Sequence, residues 1–286
     1  MTELKDLPNL RVALDFRNLT ISLKNLSRRK ILVPMPRYVD APRNPDLVVG
    51  LNIIEKFSQS QSAAGTACEA AVEDSVAKLV DEVLAKAGRI DLLVNNAGIG
   101  LLGGAEESST AQARALFDVN VFGVLRVTNA VLPVMRRQSK GRIINMSSIL
   151  GLIPSPFNAL YASTKHAIEG YSESLDHELR TFGIRVALVE PGVTRTSFEE
   201  NVTKPDRLLP VYDSVRTRME ALMRKWIAGG DAPDIVASTV VKAATDATPR
   251  RRYTAGKQAG QVRFLRRFLP ESMLDKSLRK FNELPV

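Results

Sequence analysis

The sequence predicts an α/β protein built on a doubly wound, mostly parallel sheet. From about residue 72 onward, short apolar runs alternate with stretches of helical periodicity, and the apolar runs end in polar or glycine-containing turns. Strands separated by helices of this length pair in parallel through crossovers, and ligands of such sheets bind at the carboxyl ends of the strands.

Taken in order, residues 1–66 form an atypical N-terminal portion. It offers short strands at 11–16 and 30–33 and two proline-rich stretches, Pro34-Met35-Pro36 and Ala41-Pro42-Arg43-Asn44-Pro45, which suit irregular loops. Residues 58–71, rich in Ser, Ala and Gln, form a junction. Val72, Val76, Leu79, Val80, Val83 and Leu84 then recur at helical spacing and stop at Gly88, a natural C-cap. A buried strand follows at 90–95, closed by Asn95-Asn96-Ala97-Gly98. The alternation continues with a helix over 109–137, a strand over 142–146, a helix over 158–182 and a strand over 184–189 closed by Pro191 and Gly192. Helices over 211–227 and 232–247 precede a last strand around Thr254-Ala255-Gly256.

Composition narrows the function. The chain has 286 residues, 44% hydrophobic and 25% charged, which is globular and sufficient for one large domain. Cys68 is the single cysteine, so no internal disulfide forms and no cysteine-based metal cluster is available; a reducing, cytoplasmic setting is expected. The first eight residues carry Glu3 and Asp6 and lack the apolar region of a secretory signal, and no apolar run approaches the roughly 20 residues of a membrane span. The net charge is +9, but the ten basic and three acidic residues from Arg250 onward supply +7 of it. That concentration in one tail argues against a nucleic-acid partner.

The chemistry-bearing residues cluster after the strands. Tyr161 and Lys165 are four apart on a predicted helix and share one face. A free phenol, with a pKa of about 10, is a poor base at neutral pH, and a neighbouring ammonium favours the phenolate. Ser148, at the end of the 142–146 strand and thirteen residues before Tyr161, has a hydroxyl suited to donate to a developing alkoxide. Asn120 lies within Asp118-Val119-Asn120-Val121-Phe122-Gly123. Ser147 reads as scaffold. His166 and His177, the only histidines, share the Tyr161 helix and have no third metal-ligand partner. No Gly-x-Ser-x-Gly elbow is present, which sets a serine hydrolase aside.

Together, Asn95-Asn96-Ala97-Gly98, Asn120, Ser148, Tyr161-Ala162-Ser163-Thr164-Lys165 and Pro191-Gly192-Val193-Thr194-Arg195-Thr196 resemble the short-chain dehydrogenase/reductase family in order and spacing, over about residues 69 to 286. The resemblance implies a Rossmann-like fold and an oxidoreductase moving hydride between NADP or NAD, with NADP preferred, and an alcohol or ketone. It implies that Tyr161 is the general acid/base and that Lys165 lowers its pKa and binds the nicotinamide ribose. Ser148 would polarise the substrate carbonyl, and Asn120 would hold a water leading from Lys165 to solvent. Thr194 and Thr196 match cofactor positions near the carboxamide and phosphate. Asn95 matches the turn lining the adenosine half, with a purely structural cap as the competing role. Homo-oligomers through the helices carrying Asn120 and Tyr161 are the family habit.

One part of that pattern is missing. The family opens with a strand and Gly-x-x-x-Gly-x-Gly, which brings backbone amides and a helix N-terminus to the cofactor pyrophosphate. Here the only glycines before Gly98 are Gly50, Gly65 and Gly88, and they form no cluster. The reading is therefore of residues 1–66 as a replaced segment, and of 67–286 as the family domain with a C-terminal amphipathic tail. Two functions stay open at this point: an active oxidoreductase, or a silent relative acting as a binding protein. In the tail, Val262, Phe264, Leu265, Phe268 and Leu269 alternate with Arg263, Arg266 and Arg267. Such a stripe packs on its own domain, on a subunit partner or on an anionic membrane, and by resemblance it would cover a pocket for an apolar substrate.

Overall fold

The computed structural model describes residues 11–15, 20–24, 31–32, 73–196, 198 and 202–284. A five-stranded, all-parallel sheet runs in the order β3-β4-β6-β7-β9, comprising β3 (Ile31–Leu32), β4 (Leu92–Asn95), β6 (Gly141–Met146), β7 (Ile184–Pro191) and β9 (Arg252–Ala255). β1 (Arg11–Asp15) and β2 (Thr20–Lys24) form a separate antiparallel pair, and β5 (Gly100–Leu101) pairs in parallel with β8 (Val202–Thr203). The two strands expected near the N-terminus are thus present, and the second forms the sheet edge beside β4. The junction at 58–71, Cys68 and the proline-rich stretches lie outside the described residues.

Period-two alternation sends each strand's side chains to opposite layers. Ile143 of β6 and Val186 of β7 pack against α1 (Glu73–Ala87), α3 (Gly123–Arg137) and α4 (Ala159–Leu179), through residues such as Leu79, Val131, Met135 and Leu175. Their neighbours Ile144 and Ala187 face the other way, onto Val236, Val240 and Ala243 of α6 (Pro233–Thr245). Each buried Val, Leu, Ile or Met side chain among these contributes about 1.5–3 kcal/mol. α1 ends where Gly88, at φ +72°, adopts the left-handed conformation its missing Cβ permits.

The long helix expected over 109–137 is continuous in direction but not uniform. α2 (Thr110–Phe117) passes into a π turn, Asp118–Phe122, before α3 resumes. Contrary to the expectation from apolar run length, Thr110–Arg137 is long and apolar enough to cross a membrane by composition. Its apolar face is instead used against the sheet and α1, as the core helix of an α/β layer.

Beyond β7, α5 (Asp213–Ala228) is pinned to the loop after β5: fully buried Glu107 accepts from the Gly104 and Leu209 amides at 2.8 Å and pairs with Arg216. The tail divides at Pro270 into α7 (Lys257–Phe268) and α8 (Glu271–Phe281). α8 returns to α5 by stacking Phe281 on Trp226, ring centroids 4.7 Å apart.

Candidate active site

The carboxyl ends of β4, β6 and β7 open to one edge, where the predicted polar residues collect. β6 delivers Ser147 and Ser148 directly, because the chain turns into a short 3-10 helix at Ile149–Gly151 that Ser148 caps, its hydroxyl accepting from the Leu150 amide at 3.1 Å. α4 then brings Tyr161 and Lys165 along one face to the same place. The Ser148 hydroxyl hydrogen-bonds the Tyr161 phenol. The Lys165 ammonium lies 5.6 Å from the phenol ring centroid and donates to the Met146 carbonyl at 3.0 Å.

Electrostatics modify the sequence expectation for this pair. Burial raises the pKa of Tyr161 above its ordinary value, and the Ser148 hydrogen bond opposes that rise. Burial pulls Lys165 down to about 8, against the attraction of Glu169. The effect that opposes burial at the phenol is the Ser148 contact, while the Lys165 ammonium is bonded to the strand-end carbonyl of Met146. The proton-bearing groups nevertheless stand together, with Ser148, Tyr161 and Lys165 in one continuous cluster.

Asn120 completes it from the π turn. The extra residue of the turn aims its buried amide across to the loop after β4, donating to the Ile99 carbonyl and accepting from the Ile99 amide, both at 2.9 Å; it also donates to Thr164 Oγ1 at 3.2 Å. Gly98 is bare between these groups: a Cβ there would sit 3.3 Å from Asn120 Oδ1 and 3.7 Å from Lys165 Nζ. The aromatic face of Phe198 covers the phenol, with centroids 5.7 Å apart.

The other predicted residues separate from this cluster. Asn95 is turned into the core, its amide donating to Thr128 Oγ1 at 3.1 Å and Asn145 Oδ1 at 2.8 Å, while Asn145 donates to Ser172. Of the two roles weighed for Asn95, the side chain serves the structural one, because its donors are consumed beneath the sheet edge. Thr194 and Thr196 lie in the loop after β7. Thr194 donates to the Gly192 carbonyl at 3.1 Å, and the Thr196 hydroxyl accepts from the Phe198 amide at 3.3 Å. The loop is held from outside, with the Gly192 amide bonded to Ala255 and the Val193 amide to Gln258. His166 bonds its own helix at Ala162, and His177 meets Arg251.

Sequence reading missed a buried ionic cluster behind Lys165, formed by Glu169, Glu190 and Arg252. The signal available was Glu169 itself, one helical turn past Lys165.

A phenol, a hydroxyl donor and a buried ammonium at one groove can polarise a carbonyl and pass a proton to or from its oxygen. The nicotinamide end of a dinucleotide fits this donor set, with Gly98 leaving room beside Asn120 and Lys165; such a cofactor supplies or accepts the hydride. No glycine-rich phosphate cradle occurs among the described residues.

Comparison with known proteins agrees with this chemistry. The family model for short chain dehydrogenases matches residues 49–207. A 3-ketodihydrosphingosine reductase of Bacteroides thetaiotaomicron is 34% identical over 72% of this chain and 78% of its own. The uncharacterized oxidoreductase YbbO of Escherichia coli is 33% identical over 83% of this chain and 82% of its own. A short-chain dehydrogenase structure from Streptomyces avermitilis, 27% identical, superposes with a TM-score of 0.65 over 83% of this chain and 86% of that one. The chain belongs to the short-chain dehydrogenase family and is an NAD(P)-dependent oxidoreductase; the silent-relative alternative finds no support in these relatives. The match begins at residue 49, inside the segment that the sequence motifs alone leave unassigned.

Proposed function

We propose that the protein reduces an apolar ketone, or oxidises the matching alcohol, using NADP in preference to NAD. The observation that carries this is the convergence of Ser148, Tyr161 and Lys165 at the strand ends. Tyr161 is the general acid/base, Ser148 donates to the substrate oxygen, Lys165 holds the nicotinamide ribose and restores the proton, and Asn120 anchors the water leading outward. Thr194 and Thr196 flank the cofactor. An apolar substrate fits Phe198 over the phenol, the edge-on Phe157–Tyr212 pair at 5.8 Å and exposed Leu208 and Val211 beyond them. The name of the Bacteroides relative, a 3-ketodihydrosphingosine reductase, points to a ketone substrate as well. Fluorescence titration with NADPH and NADH, followed by turnover assays on ketones of increasing chain length, tests the reading. Binding of NADPH more tightly than NADH and a KM falling with chain length are expected; binding of neither nucleotide overturns it.

The partners follow from exposed surface. α7 buries only Ala259, and its Phe264, Leu265 and Phe268 are exposed beside Lys257, Arg263, Arg266 and Arg267. Basic charge interleaved with aromatic side chains complements an anionic membrane surface, and we assign α7 that contact, on the cytoplasmic side in keeping with the single Cys68. Flotation with phosphatidylserine vesicles should carry the full chain up, and Phe264→Ser with Phe268→Ser should leave it at the bottom. Flotation unaltered by that double change removes the assignment. A homo-oligomer through α3 and α4, where Phe122 stands half exposed at the start of α3, is the matching expectation for light scattering.

A further inference from the structure

One turn beyond Lys165 on α4, Glu169 is buried beneath the site. Glu190 of β7 is fully buried beside it. Arg252 of β9 bridges them through Nη1, bonding Glu190 Oε1 at 2.6 Å and Glu169 Oε2, while its Nε bonds Glu173 Oε1 at 3.0 Å. Ser147 Oγ, Glu169 Oε1 and Glu190 Oε2 are buried without a hydrogen-bond partner. Gly151 lies against them, a Cβ there falling 2.6 Å from Ser147 Oγ. Two buried carboxylates around one guanidinium, which Glu173 also engages, leave an excess of negative charge that low-dielectric surroundings do not tolerate. Relief comes from a proton on one carboxylate or from a second cation, and the second cation within reach is Lys165.

Burial pushes the Glu169 carboxyl up to about 7, with Glu190 reinforcing the rise and Arg252 opposing it. The ionisable groups around Lys165 are Tyr161 and Glu169 on its own helix and, behind Glu169, Glu190 from β7 and Arg252 from β9. From the π turn, Asp118 is paired with Arg126 at 2.5 Å; α2 contributes exposed Arg114; the 3-10 helix at Ile149–Gly151 carries no ionisable side chain.

We propose that Glu169 is a positioning residue for the Tyr161–Lys165 pair: its carboxylate, shared with Arg252 and Glu190, sets the charge on Lys165 and thereby the pH above which the site stops working. The kinetic half of this rests on the oxidoreductase reading; the electrostatic half does not. Lys165 is therefore titrated directly, by NMR of the full chain carrying isotope-labelled lysine, without cofactor, with Lys165→Met supplying the assignment. Glu169→Gln removes the anion and should lower the Lys165 midpoint by about one pH unit. Glu169→Asp should restore most of it. Coupling is reciprocal, so Lys165→Met should raise the Glu169 midpoint in a protein whose carboxylate cluster is intact, which covers the case of a poorly folded Glu169→Gln. An unmoved lysine in folded Glu169→Gln, or an unmoved Glu169 in Lys165→Met, overturns the proposal. In turnover, the alkaline limb of kcat/KM should shift to lower pH by the same amount as the NMR midpoint. Coupled NMR shifts with no turnover in the parent protein would defeat the oxidoreductase reading and leave the coupling standing.

Discussion

The carboxyl ends of β6 and β3 lie in one parallel sheet, separated only by β4, and differ in what the chain supplies next. After β6 come Ser147 and Ser148, a capped 3-10 helix and then the helix that carries Tyr161 and Lys165. After β3 the sequence runs Val33-Pro34-Met35-Pro36, and the next glycine is Gly50. Hydride chemistry at the nicotinamide end and affinity at the pyrophosphate end are therefore properties of different segments. In the proposed reading, the first depends on Ser148 after β6, on Tyr161 and Lys165 of α4, and on Asn120 of the π turn. The second depends on amides and a helix dipole that a glycine loop provides in relatives with the full pattern.

That separation is tested most severely by Tyr161→Phe, which removes the proton donor and keeps the ring against Phe198. A fall in kcat of about 10³-fold or more is expected with cofactor affinity unchanged, read by steady-state kinetics beside fluorescence titration. A loss of affinity of similar size would show that the two ends are not independent. Ser148→Ala should cost about 10²-fold in kcat, the scale of one lost donor to a developing oxyanion, and should also raise the pKa of the phenol by removing the bond that opposes burial. Its acid-base profile is the sharper measurement, since a purely steric role would leave the profile in place.

A smaller effect is expected at the other end. Replacing the residues after Leu32 with a Gly-x-x-x-Gly-x-Gly turn leading into a helix should tighten NADPH binding about tenfold, the worth of roughly 1.4 kcal/mol at a helix N-terminus. The pH dependence of kcat should not move. Isothermal titration of the graft against the parent decides it, and equal affinities would mean that the pyrophosphate is held by groups outside that loop.

The β6 to α4 half was readable in the sequence because its logic is local. Ser148, Tyr161 and Lys165 fall within eighteen residues, and a four-residue step on a helix fixes a shared face. Asn120 was legible as a residue but not as a geometry: the π turn that aims it arises because its amide closes two bonds on Ile99, twenty-one residues back. Helical periodicity carries no trace of that. The Arg252 bridge required the β7–β9 register, which sets Leu188 opposite Arg252 and brings the guanidinium alongside Glu190. The break in the tail was open to reading at Pro270 and follows from it. At Asn95, the last residue of β4, the side-chain amide is engaged by Thr128 and Asn145 within the core, an arrangement that strand-end position alone does not announce.

Asn95 gives the mildest prediction and the finest test of where the cofactor groove stops. Its amide satisfies Thr128 and Asn145, and Asn145 in turn holds Ser172, so Asn95→Ala leaves a buried carbonyl oxygen on Asn145 without its donor. About 1–3 kcal/mol of stability should be lost, seen as a drop of several degrees in Tm. The NADPH dissociation constant should stay within about twofold of the parent, since one neutral hydrogen bond to the cofactor would be worth about tenfold. Thr128→Val removes the acceptor of one of the two Asn95 amide bonds, from the other side of the network and without touching β4, and should reproduce the loss of Tm in part. Weakened binding in Asn95→Ala but not in Thr128→Val would place the β4 end in the wall of the groove, and would extend the cofactor-binding segment from the strand ends of β6 and β7 to the neighbour of β3.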